Sequence, residues 1–227
     1  PYAKPVTRTR EYVDIIRQVL AREAPVTSDG EFYPLPYTGP GAWGMGKPLK
    51  PITHPLRADV PIFIGAEGPR NVTQTARIAD GWLPLYYSPY RQEVYADQLV
   101  DAKAGFEISP TVLVNINDDL DQALYPVKAM LGFYIGGMGS AKRNFHKELM
   151  ARMGFPEEAE QIQNLFLEGK RDEAIAAVPD QFADEISLSG PRDRIKEKLR
   201  DWENSPVTSL LIHGDVDLLR QMAELTL

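Results

Sequence analysis

The chain has 227 residues, 43% of them hydrophobic, no cysteine, and 25 Lys and Arg against 32 Asp and Glu, for a net charge of −7. This composition carries a real core, excludes disulfides, thiolate nucleophiles and Cys-ligated metals, and disfavours a nucleic-acid partner, whose phosphates select basic faces. The lack of cysteine fits a cytoplasmic protein; no apolar run approaches the roughly 20 residues that span a membrane, and no signal peptide is visible.

Pro1 opens an extended segment, Pro-Tyr-Ala-Lys-Pro, that leads into a helix. Such an opening is expected either for a disordered start or where a large preceding piece is missing. The helix is predicted over Thr7 to Ala24, with Tyr12, Ile15, Ile16, Val19 and Leu20 inward and Arg8, Arg10, Glu11, Arg17 and Arg22 polar; Pro25 stops it. Residues 26–59 then hold six prolines and a run of glycines without periodicity, the mark of an insertion or lid loop. Glu31 to Leu35 is expected to be a hairpin arm, and Trp43 sits in the Gly-rich part, where a lid contact with substrate is one of two even readings.

Val60-Pro-Ile-Phe-Ile is a short apolar run that predicts a buried strand. A helix follows over Pro69 to Ala79, then a second strand at 81–85, a helix over Tyr90 to Lys103 with Val94, Leu99 and Val100 inward, and a third strand at 111–116. A long helical region runs from Leu120 to Val178, broken at 136–139 and 154–156. Ser189 is expected as the N-cap of a further helix with Pro191 in its first turn, before a fourth strand at 208–212 and a final helix from Val216 to Leu225. Alternating strands and helices point to parallel βαβ units. Four strands fit either a small doubly wound sheet or half of an eight-stranded barrel, and periodicity does not choose between them.

The most informative stretch for chemistry is Gly65-Ala66-Glu67-Gly68-Pro69, between a strand and a helix. Glycine lets a ligand approach the backbone, and the free amides of a helix start favour an anion such as phosphate. A plain tight turn competes with that reading, and an inward Glu67 carboxylate would weaken it. Trp82 is either core or a substrate contact, and His213 ends the last strand, where a barrel would present it to the active site. His54 and His146 have no metal-spaced partners, so no metal is expected. Phe133 to Ser140 is a helix break or a loop lining a pocket. The acid pairs Asp118-Asp119, Glu157-Glu158 and Asp184-Glu185 read as solvated helix caps.

Val60-Pro-Ile-Phe-Ile-Gly-Ala-Glu-Gly-Pro-Arg-Asn-Val, followed by Ala76-Arg-Ile-Ala-Asp-Gly-Trp-Leu-Pro, resembles the central strand-loop-helix-strand of the luciferase-like monooxygenase superfamily. Phe133-Tyr-Ile-Gly-Gly-Met-Gly with Asn144-Phe145, and Leu188-Ser-Gly-Pro-Arg-Asp-Arg-Ile, resemble its coenzyme F420-dependent oxidoreductase branch. The resemblance implies an α/β TIM-type (β/α)8 barrel of which residues 1–227 are the C-terminal part, covering about strands five to eight, with 26–59 inserted before strand five. The N-terminal half, with most catalytic side chains, would then be absent and would complete the cylinder as a partner, because two raw sheet edges are otherwise left open. The implied activity is hydride transfer between F420 and a small organic substrate, with an FMN-dependent monooxygenase as the alternative and a homodimer as the assembly. The implied cofactor-binding residues are Gly65, Ala66, Glu67 and Gly68. Trp43, Trp82 and His213 are the substrate or lid candidates. From another class comes a non-catalytic barrel fragment that acts through a partner chain.

Overall fold

The computed structural model describes residues 3–140 and 143–226, so the expected extended opening at Pro1 and Tyr2 lies outside it. Helix α1 (Pro5–Ala21) starts two residues before the predicted position, because proline is well suited to a first turn, where its missing N–H is not needed. Its buried face differs from the expected one. Val13 and Glu11 are buried, whereas Tyr12 is 57% exposed. The cause is the Glu11 carboxylate, which accepts the amides of Glu31, Phe32 and Tyr33 at 2.9, 2.9 and 3.1 Å. Burial alone would raise the carboxyl pKa, but these three amides outweigh it and the pKa is lowered.

That clamp shapes the 26–59 segment. Ser28 bridges Leu35 and Val26 bridges Leu49, both antiparallel, so 31–33 form the turn of the expected hairpin rather than its arm. Beyond these bridges the loop presents Trp43, Met45, Ile52 and Leu56 to solvent.

Six short strands follow among the described residues. They are β1 (Phe63–Gly65), β2 (Gly81–Leu83), β3 (Glu107–Ile108), β4 (Thr111–Ile116), β5 (Ser187–Gly190) and β6 (Leu211–Ile212). They form two three-stranded sheets, β1-β2-β3 and β5-β4-β6, with every pairing parallel. The parallel βαβ reading therefore holds, with two strands more than expected. Residues 107–116 serve both sheets: Ser109 N donates to Trp82 O, while Leu211 N donates to Pro110 O. Strand β5 was hidden because Ser-Leu-Ser-Gly has neither β-branched nor aromatic residues. Its serines are fully buried and share a 2.9 Å hydroxyl contact. Ser189 thus lies in a strand, and the cap of the next helix is Pro191.

Helix α2 (Pro69–Ile78) joins β1 to β2. The helix expected over Tyr90 to Lys103 shrinks to a 3-10 turn (Gln92–Tyr95) and α3 (Ala96–Leu99), which leaves Val100 76% exposed rather than inward. Between β4 and β5 lies the predicted helical excursion: α4 (Leu120–Gly137), α5 (Phe145–Arg152), α6 (Pro156–Leu167), α7 (Arg171–Ala176) and α8 (Asp180–Glu185). The glycines of the Phe133–Ser140 segment have a packing reason. A Cβ on Gly136 would sit 2.4 Å from Phe166 Cβ, so only glycine lets α4 and α6 approach this closely. Helices α9 (Arg192–Glu203) and α10 (Val216–Thr226) flank β6.

Of the acid pairs, Asp119 caps α4, and Glu157 and Glu158 occupy the first turn of α6, as expected. The Asp184-Glu185 pair is not a solvated cap. Asp184 binds Arg194 and Lys198, and the buried Glu185 takes a two-pronged bond from Arg91 at 2.5 and 2.9 Å.

Alternation along the strands separates two faces. Trp82, Ile108, Val112, Val114 and Leu188 join the helix-covered core. Phe63, Leu83 and Leu113 are only half-buried on the other face, and Leu211 is 38% exposed.

Register in the first sheet rests on Asp80. Its carboxylate accepts the amide of Ile62 (2.8 Å), Arg17 of α1 (2.9 Å) and Lys103 (2.5 Å), while its own amide donates to Ile62 O. Burial works against ionisation here, but Lys103, the Ile62 amide and Arg17 more than compensate and hold the pKa at about 2, against 3.8 in an ordinary aspartate. A depressed carboxyl stabilises the fold above pH 3.8 and loses that contribution as pH falls toward about 2. Asp80→Asn should therefore cost about 2 kcal/mol near neutral pH. Urea unfolding at a series of pH values should show the gap between the two proteins closing as pH drops through that window.

Candidate functional site

The site is built at the carboxyl end of β1. Gly65, Ala66, Glu67 and Gly68 leave the strand and enter α2, with Gly68 as N-cap and Pro69 at its first position. Two side chains hold the loop from behind. The Trp82 indole N–H donates to Ala66 O (2.8 Å), and Arg152 of α5 donates to Glu67 O (3.1 Å). The β1–β2 register makes the first bond possible, because Trp82 lies level with Ile64. A Cβ on Gly65 would meet only Leu83 O, at 3.9 Å, so the space in front of the loop is open. Asn71 and Val72 amides return to Gly68 O, whereas those of Glu67, Gly68 and Arg70 donate to no other described residue. These amides and the dipole of α2 make a fitting cradle for a phosphate or carboxylate.

The Glu67 carboxylate does not occupy that cradle. Its Oε2 lies 3.0 Å from His146 Nδ1, with both side chains mostly buried. His146 is carried by the first turn of α5, which Asn144 caps by accepting the amides of His146 (2.9 Å) and Lys147 (3.1 Å). The same Asn144 donates through Nδ2 to the carbonyls of Tyr134 (3.1 Å) and Ile135 (2.7 Å), fastening α5 to the end of α4. The His146 ring meets Tyr134 edge-on at 5.0 Å and Tyr86 at 5.6 Å. Tyr86 is 3% exposed, its hydroxyl has no hydrogen-bond partner among the described residues, and its φ is 54°, a left-handed conformation rare for a bulky residue. Burial raises the Tyr86 pKa, and the nearby Glu67 and Tyr134 raise it further.

Gly65 to Gly68 thus form one loop, as expected. Trp82 is wholly buried and stacks edge-on against Tyr95 at 4.8 Å, so it supports the loop from the core side. Trp43 is 89% exposed on the 26–59 loop. His213 follows β6 where that strand meets α10, beside Leu219 and Met222. Spacing gives His146 no metal partner and singles out neither Tyr86 nor Arg152, whereas Tyr134 belongs to the Phe133–Ser140 segment named as a possible pocket lining. Asn144 followed by an aromatic was the available signal: a strong cap that starts a helix next to the glycine-rich end of α4.

Comparison with known proteins gives four findings. The family model for luciferase-like monooxygenase matches residues 1–209. A Mycobacterium tuberculosis protein, named provisionally as a coenzyme F420-dependent oxidoreductase, is 44% identical over 99% of this chain and 67% of its own length. A 5,10-methylenetetrahydromethanopterin reductase of Archaeoglobus fulgidus is 28% identical over 92% of this chain and 60% of its own. Among solved structures, the coenzyme F420-dependent tetrahydromethanopterin reductase of Methanopyrus kandleri superposes with a TM-score of 0.67 at 22% identity, covering 93% of this chain and 58% of that one. The chain therefore spans roughly three fifths to two thirds of the length of the proteins it matches.

Asn144 is the joint on which His146 hangs. Asn144→Ala removes the cap and leaves two carbonyls at the end of α4 without their donor, and should destabilise the protein by about 2 kcal/mol in urea titration. Asn144→Asp keeps the cap oxygen but not the donor, and should fall between the two.

Proposed function

This chain belongs to the luciferase-like monooxygenase family, and on that premise we propose that it forms the cofactor-cradling part of an oxidoreductase that moves hydride between coenzyme F420 and a small organic substrate. The observation that carries the reading is the loop after β1. Gly65 leaves open space, three amides have no partner among the described residues, and the one acid in the loop is turned toward His146. That is an environment in which an anionic, phosphate-bearing cofactor tail is favoured rather than repelled. A deazaflavin has carbon in place of the reactive ring nitrogen of a flavin and so carries hydride. The protein's part is to hold and orient it and to shut out water. The 44% identity to the provisionally named F420-dependent oxidoreductase supports this cofactor over FMN.

The barrel assignment belongs to the same proposal. A doubly wound sheet has helices on both faces, whereas here the face that bears Phe63, Leu83 and Leu211 lacks, among the described residues, the cover that Trp82 and Val112 receive. One-sided cover fits a cylinder in which these residues point inward. Residues 60–65, 81–85, 107–116 and 208–212 then correspond to strands five to eight, with β5 (Ser187–Gly190) an addition at the carboxyl end of β4. The remaining length of the relatives would supply the other strands and cover the open edges of β1 and β6. His213 and Trp43 stay as substrate-side candidates, and Trp82 as the support of the cradle.

Fluorescence titration of the protein with F420 tests the reading. Gly65→Val projects into open space and should change unfolding free energy by less than about 0.5 kcal/mol. It should weaken F420 binding at least about tenfold. Unchanged affinity removes the loop from the cofactor site. Saturable FMN binding without F420 binding replaces the cofactor.

A further inference from the structure

We propose that His146 is a catalytic acid–base group of this protein and that Glu67 positions it. The proposal rests on the oxidoreductase reading above and adds a substrate class: compounds whose reacting carbon bears an oxygen that must gain or lose a proton.

The geometry is that of an oriented imidazole. Glu67 Oε2 and His146 Nδ1 are 3.0 Å apart, both atoms are buried, and neither has a hydrogen bond to any described residue. Two lone pairs at that distance would repel, so a proton belongs between them, on Nδ1. The two atoms do not yet meet hydrogen-bond geometry, as is common in catalytic pairs before substrate tightens them. With Nδ1 committed to the carboxylate, Nε2 is the working atom, and it makes no hydrogen bond to any described residue.

The surroundings are arranged for a proton rather than for a simple ion pair. Four elements converge on the ring: the loop after β1 through Glu67, the loop after β2 through Tyr86, α4 through Tyr134 and α5 through His146 itself. Arg152, bonded to Glu67 O, and the buried Tyr95 are the other titratable groups near the carboxylate. Tyr86 is held in a strained backbone conformation with a buried, unpartnered hydroxyl close enough to feel the Glu67 charge. Strain of about 1–3 kcal/mol is seldom kept without a use. The dyad also stands immediately beside the cofactor cradle, since Glu67 belongs to both.

The step balances as follows. A reduced deazaflavin, when bound, would supply hydride to a carbonyl carbon; as the π pair moved to oxygen, Nε2 of protonated His146 would give that oxygen its proton. An alcohol results, the ring is left neutral with its remaining proton facing Glu67, and solvent reprotonates it. In the oxidising direction neutral Nε2 would take the hydroxyl proton while the oxidised deazaflavin, when bound, accepted the hydride that leaves carbon.

Two measurements on the protein test this. In ring-15N-labelled protein at alkaline pH, neutral His146 should be the Nδ1–H tautomer, and Glu67→Leu should return it to the Nε2–H form usual in free histidine; an Nε2–H ring in the unsubstituted protein overturns the dyad. With reduced F420 as reductant and a panel of simple ketones and aldehydes as probes, His146→Gln should lower kcat about a hundredfold or more with F420 affinity retained. Glu67→Gln should flatten the pH profile of kcat. Full turnover and an unchanged profile in both variants overturn the catalytic role. If the protein, assayed together with the remaining strands of the barrel, binds F420 but reduces no probe, the substrate class is wrong. Failure to bind F420 at all overturns the oxidoreductase reading instead, with the tautomer result still deciding whether the pair exists. Should His146→Gln not fold, Glu67→Gln and the tautomer spectra carry the decision.

Discussion

Asp80 sets the register of the first sheet. One carboxylate joins the start of β1 to the start of β2 and ties both to α1 and Lys103. With Ile62 and Asp80 locked, Phe63, Ile64 and Gly65 fall opposite Gly81, Trp82 and Leu83. A shift of one residue would send Trp82 to the opposite face of the sheet and remove its indole from Ala66 O. The shape of the Gly65–Gly68 loop is therefore a consequence of an ion pair at the far, amino-terminal end of the strands. Glycine and proline mark where the loop turns, and the strand register decides what it is held against.

The second half of the site arrives by a longer route. Helix α4 runs close against α6 because Gly136 lacks a side chain, and α5 starts where Asn144 bonds back to Tyr134 and Ile135. That brings His146 to Glu67, 79 positions away in the chain, and Arg152 to the carbonyl of the same residue. The excursion between β4 and β5 thus contributes a wall and a titratable group to the loop after β1. The Glu185–Arg91 pair and the Arg91 bond to Met153 O hold the loop after β2 to that same layer of helices.

Core burial is uneven, and the unevenness is informative. Trp82, Tyr87, Tyr95 and Trp202 pack aromatic faces and edges together on the helix side. On the other side Phe63, Leu83, Leu113 and Leu211 keep part of their surface exposed. Apolar side chains on a sheet face contribute about 25 cal/mol per Å² only when water is removed from them. Such a face in a parallel sheet is ordinarily covered, as is each edge strand.

The sequence by itself determined the parallel α/β class, the order of most elements and the loop at Gly65–Gly68. Those features follow from local periodicity and from glycine and proline placement, which act over a few residues. Family resemblance came from the same contiguous stretches. Strand β5 escaped because its Ser-Leu-Ser-Gly run has no strand propensity, and it pairs only because β4 offers an edge beside it. The buried face of α1 was misjudged because Glu11 answers to the amides of residues 31–33 and not to its helical neighbours. Asp184 and Glu185 looked like solvated acids until Arg91, Arg194 and Lys198 came to them from other elements. The meeting of Glu67 with His146 was likewise decided by tertiary structure alone, because a contact between residues this far apart depends on helix packing and strand register, neither of which is written in the spacing of the residues that meet.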